Sequence, residues 1–129
     1  MNTINAQSPN FCAHRFGDKK AFIKYVNEQT PEVVGALKET LKIVKNDLAN
    51  TKYADVVTEV VDRKLQHFIQ FRKPLINQEA GIVEYGSWTT KPVESLPEAA
   101  KNALEIEKNM IAADRYFREM ADLIGLKKV

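Results

Sequence analysis

Three short groups of residues are of types that could do chemistry. Cys12-Ala13-His14 sets a thiol and an imidazole two residues apart, a spacing at which an extended backbone turns both side chains the same way. A zinc site takes three or four such ligands. The other histidine is His67 and there is no second cysteine, so no metal is expected and the segment reads as an ordinary tail. A Cys12 nucleophile would need an enclosed, electropositive setting, which a segment without periodicity does not supply. Glu59, Arg63 and His67 follow at intervals of four, and on a helix they would stack an acid, a base and a titratable ring on one side. The same spacing belongs to a solvated ion-pair face, which is the reading it favours.

Arg63, Lys64, His67, Arg72 and Lys73, interleaved with Phe68 and Phe71, form the third group and resemble the mixture that holds single-stranded nucleic acid. In a helix those phenylalanines follow the apolar side, which makes them core rather than stacking platforms. With 19 basic and 17 acidic residues the formal charge is only +2, so no general affinity for nucleic acid is expected. A second basic group, Lys19, Lys20, Lys45, Lys52, Lys127 and Lys128, collects at one end if the chain folds as an up-down bundle. The glycines are too dispersed for a phosphate loop or a dinucleotide fingerprint. No Glu-x-x-His pair of the di-iron bundles occurs, and Ser87 lacks the second glycine of a nucleophile elbow. No catalytic residue, metal or cofactor is therefore expected. An enzyme with this sequence would have to draw single residues from several elements.

The elements that must position these groups read as helices. Leu96, Ala99, Ala103, Ile106, Met110, Ala113, Phe117, Met120 and Ile124 step by three and four, which predicts a long helix with one apolar seam. Ser95 and Glu98 form a capping box at its start and Gly125 ends it. Asp18 caps a first helix reaching about Gln29. Thr30-Pro31 opens a second, running to about Asn50 with Val34, Leu37, Leu41, Val44 and Leu48 inward. A third, from about Lys52 to Arg72, carries Ala54, Val57, Val61, Leu65 and Phe68 on one side and stops before Pro74.

Residues 1–17, rich in Asn, Ser, Pro and Gln, read as a flexible N-terminal arm, and residues 18–129 as one domain. The segment from Lys73 to Glu94 is long for a bundle connection. It carries Leu75, Ile76, Ile82, Val83, Tyr85 and Trp88, too apolar for a solvated linker, and it is expected to be ordered and to cover Ala99, Ala100 and Ala103. Within it Tyr85-Gly86-Ser87-Trp88 resembles a Gly-X hairpin turn between two β-favouring stretches, Ile82 to Tyr85 and Trp88 to Thr90, which would make a small β-hairpin.

The fold class expected is thus an all-α, four-helix antiparallel up-down bundle with a long ordered loop before the last helix. Apolar residues at 44% and charged residues at 28% are values of an ordinary globular chain. The longest clean apolar run, Met110 to Ala113, falls far short of the roughly 18 residues a membrane span requires. With no basic and apolar leader and a single cysteine, the chain is expected in a reducing cytoplasm. The expected function is non-catalytic binding of another protein through Tyr85, Trp88, Ile82 and Val83, with a homodimer through the fourth helix as a further expectation. Nucleic-acid binding through Arg63, Lys64, His67, Arg72 and Lys73 is the alternative.

Overall fold

A computed structural model describes residues 14–77, 79–125, 127 and 128. It replaces the all-α bundle with a mixed sheet and three helices among the described residues. The elements are β1 (His14–Phe16), α1 (Lys19–Asn27), α2 (Pro31–Asp47), β2 (Ala54–Val61), β3 (Lys64–Asn77), β4 (Ile82–Thr89), α3 (Leu96–Ile124) and β5 (Lys127–Lys128). Sheet order follows chain order, β1-β2-β3-β4-β5. The pairs β2–β3 and β3–β4 are antiparallel, whereas β1 and the two-residue β5 lie parallel to their neighbours. Among the described residues no helix is long and apolar enough to cross a membrane.

The helical stops and starts fall where the caps put them. Asp18 accepts the Ala21 N–H at 3.1 Å, Thr30 that of Val33 at 3.3 Å and Ser95 that of Glu98 at 3.2 Å. Gly125 takes the left-handed conformation, φ 76°, that closes α3.

The expected third helix is instead the β2–β3 hairpin, and the error has a physical cause. Ala54 to Thr58 are buried without interruption, because this part of β2 is covered on both faces. A strand of that kind shows no alternation, and its apolar run imitates a buried helix. The turn adds no punctuation either. Asp62 and Arg63 make the two-residue connection with φ 52° and 64°, a geometry usually signalled by Asn-Gly or Asp-Gly. The β-branched run Val56, Val57, Thr58, Val60 and Val61 was the available strand signal.

A second correction concerns the loop before the last helix. Residues 82–89 are a continuous strand, so Tyr85-Gly86-Ser87-Trp88 lies mid-strand rather than at a turn. Ala99, Ala100 and Ala103 are covered not by this segment but mainly by Val44, Leu48, Ala54, Val56 and Ile69, with Val93 at the margin. Pro74 sits inside β3, which is possible because of how the strand ends pair. Even-numbered N–H groups of β3 point towards β2, as Arg72 N–H does to the Tyr53 carbonyl at 2.9 Å. Beyond Tyr53 no β2 residue remains to be met, so the N–H that proline lacks would have had no ladder partner there.

Helix α3 runs the length of β3 and passes the start of β2. Ile69 and Phe71 pack with its first turns, whereas Tyr85, opposite Pro74 in register, bonds to Asp114 three turns later. Residues of opposite strand parity thus face the same helix, and the sheet's twist carries one face away from α3 as the other turns towards it.

Candidate functional site

Two polar clusters and one exposed patch stand out. The first cluster gathers on α3. Asp114 accepts the Tyr53 hydroxyl at 2.5 Å and the Tyr85 hydroxyl on its other oxygen. Arg118 Nε donates to the same carboxylate at 3.2 Å and a second guanidinium nitrogen reaches the Tyr85 hydroxyl at 3.3 Å. The Arg72 guanidinium lies between the two phenol rings, 4.6 Å from the Tyr53 centroid and 4.9 Å from that of Tyr85. Burial, followed by the bond to Asp114, pushes the Tyr53 phenol up to about 12. The Tyr85 phenol is raised too, by burial and then Asp114. Burial alone would raise the Asp114 carboxyl, but the bonds from Tyr53, Tyr85 and Arg118 outweigh it and hold it below the usual range. At neutral pH this is two protonated phenols on an ionised carboxylate, a clamp joining the residue before β2, strand β4 and α3.

The second cluster lies under the helices. Thr58 Oγ1 is 2.5 Å from His14 Nε2 and 2.8 Å from His67 Nδ1. Burial lowers both imidazoles, and the neighbouring His67 adds to the effect on His14, which falls to about 4. Both rings are neutral at pH 7. On the other face of β1 and β2, Arg15 donates to the wholly buried Asp55 at 2.6 Å and also to Gln70.

The patch is on β3 and β4. Trp88, Gly86, Glu84 and Ile82 stand opposite Phe71, Lys73, Leu75 and Asn77, so all share the face that turns away from the second half of α3. Trp88 is 48% exposed and Leu75 37%, and the Lys73 ammonium is 5.8 Å from the Trp88 ring centroid. Gly86 lies between them: a β-carbon there would come within 3.0 Å of Leu75 Cδ1 and 3.4 Å of Trp88 Nε1. Both side chains therefore lie over bare backbone, an aromatic and an aliphatic group covering a strand glycine.

The four residues expected to bind protein are divided by strand alternation. Trp88 and the half-buried Ile82 share the open face, whereas Val83 is buried and Tyr85 belongs to the Asp114 clamp. The five residues of the nucleic-acid alternative do not form one surface: Arg63, Lys64 and His67 line one groove, and Arg72 and Lys73 lie elsewhere. Arg63 and Lys64 are at the hairpin tip, His67 is buried, Arg72 is held between tyrosines and Lys73 stands beside Trp88. Lys64 and Lys73 are roughly 30 Å apart along the strand. Glu59 lies in β2, Arg63 in the turn and His67 in β3, so they do not form a row. Cys12 lies outside the described residues. The seam of α3 through which a second copy was expected to pair is turned inward at Leu96, Ala99 and Ala103, while Leu104 and Ile111 stay exposed on its flank.

Sequence reasoning missed Glu107 and Asp114. Both are buried and lie seven residues apart, in line with Ala100 and Ala121; that spacing puts two carboxylates on a face otherwise lined by alanine, and it is visible in the sequence. Neither a protein-family model, a curated protein nor a solved structure matches this chain.

Proposed function

We propose that the chain is a non-catalytic protein-binding module of the cytoplasm whose contact surface is the open face of β3 and β4. The observation that carries the reading is Trp88, a large aromatic left 48% exposed on a regular strand. Tryptophan is among the commonest interface anchors, and Leu75, Ile82 and the Lys73 stem extend its apolar area. Val83 and Tyr85 support the strand from behind. The non-catalytic reading rests on the polar clusters, in which the phenols stay protonated on Asp114 and the imidazoles stay neutral on Thr58. The single cysteine accords with a reducing compartment.

A nucleic-acid partner is less well supported. Of the five basic positions only Lys73 adjoins Trp88, and Glu84 shares the same face. Isolation of partners with wild-type protein and Trp88→Ala, followed by direct titration, tests the proposal. Loss of an anchor weakens binding by 2 kcal/mol or more, about thirtyfold, while the fold persists.

A further inference from the structure

A groove of about 410 Å³ lies where the β2–β3 hairpin meets α1, α2 and the start of α3, away from Trp88, and its lining includes Tyr25, Arg63, Lys64, His67, Glu94 and Ser95. His67 is 98% buried, being 2% exposed. Its Nδ1 is engaged by Thr58, and Nε2 has no hydrogen-bond partner among the described residues. His67 nevertheless contributes to the lining of the groove. A buried imidazole that lines a groove with one nitrogen fixed and the other without a partner among the described residues is an incomplete hydrogen-bonding arrangement.

We infer that this groove binds a small oxyanion, a phosphate or a carboxylate, with His67 Nε2–H at its floor and Arg63 and Lys64 at its rim. The proton inventory permits this. Thr58 has one hydroxyl proton. When it is donated to His67 Nδ1, His14 donates Nε2–H to Thr58, and His67 carries its own proton on Nε2. A neutral donor suits the buried floor, where a fixed charge would be costly to desolvate. The two cations stand where water still reaches them. Glu94 is the carboxylate among the six, so the lining retains one net positive charge. Ser95 Oγ accepts the Glu98 N–H and keeps its own proton to donate, whereas Pro97 removes one of the amides that a helix start would ordinarily offer.

Side-chain nitrogen spectra of the two histidines test the inference on the full chain. Inorganic phosphate and succinate are titrated at constant ionic strength, with chloride as the reference anion. The expected result is a saturable shift of His67 Nε2 with phosphate, succinate or both, the pattern identifying the anion class. Arg63→Ala and Lys64→Ala, both at exposed positions, are each expected to weaken that binding about tenfold or more. A His67 signal that does not move in the folded protein, a shift that chloride reproduces, or wild-type affinity in both variants overturns the inference.

Discussion

The Glu107 carboxylate accepts the Tyr53 backbone N–H at 2.7 Å across 54 residues of sequence. The same side chain takes the N–H groups of Lys52 at 2.8 Å and Ala54 at 3.1 Å. Its two oxygens have lone pairs for all three, and it thereby ties the chain entering β2 to the middle of α3. Glu107→Ala would leave three amides, two of them buried, without this acceptor. A loss of about 3 kcal/mol or more is expected in chemical denaturation, with a smaller loss for Glu107→Gln. A change below about 1 kcal/mol would remove Glu107 as the link between helix and sheet.

Burial of His14 makes stability depend on pH. Its pKa falls from 6.5 in the unfolded chain to about 4 in the fold, so between those values the unfolded state binds more protons. Stability is complete above pH 6.5 and declines as the pH drops towards 4, by up to about 3 kcal/mol. His67, also lowered, acts in the same direction. Denaturation of wild type and His14→Gln across this range measures the effect. An equal pH dependence in both proteins would contradict it.

Asp114 acts in more acidic solution. Its folded pKa lies below the ordinary 3.8, so its stabilisation is present above that value and is lost as the pH falls through the folded one. Asp114→Asn is therefore expected to be less stable than wild type at neutral pH, with the deficit narrowing in acid. A deficit constant down to the lowest pH would show that the carboxylate's charge is not what the tyrosines and Arg118 recognise.

Arg63 holds φ 64° in the hairpin turn, where a side chain with a β-carbon is strained by roughly 1 to 2 kcal/mol. Arg63→Gly relieves that strain at an entropic cost of about 0.5 to 1 kcal/mol. A net gain of roughly 0.5 kcal/mol in unfolding free energy is expected. Destabilisation by more than about 1 kcal/mol would mean that the turn depends on the arginine side chain.

How far the sequence reveals this fold varies from element to element. Asp18, Thr30, Ser95 and Gly125 mark helix ends because their chemistry is local, and the caps form in the structure as read. The stretch from Ala54 to Arg72 is different. Its apolar spacing satisfies a helix and a doubly covered strand alike, and Asp62-Arg63 turns the chain without glycine. Only tertiary pairing decides between the two. Beyond it, the residues of β4 favour strand on both sides of Gly86-Ser87, but that pair imitates a turn and divides one continuous strand into two. The Asp114 clamp is equally non-local, since Tyr53, Arg72, Tyr85 and Arg118 meet only once β3 has twisted past α3. Trp88 and Ile82 share the open face, but their residue types alone do not place them there. That Val83 and Tyr85 face the other way follows from strand alternation, which requires the strand to be known first.

Trp88 is the proposed anchor for a protein partner. A photo-crosslinking phenylalanine analogue substituted at position 88 tests that role most directly in living cells, with the same analogue at the exposed Lys38 of α2 as the reference. A discrete protein adduct is expected from position 88 and not from position 38, in a chain as stable as wild type. Identical adducts from both positions, or crosslinking from position 88 to nucleic acid alone, would contradict it.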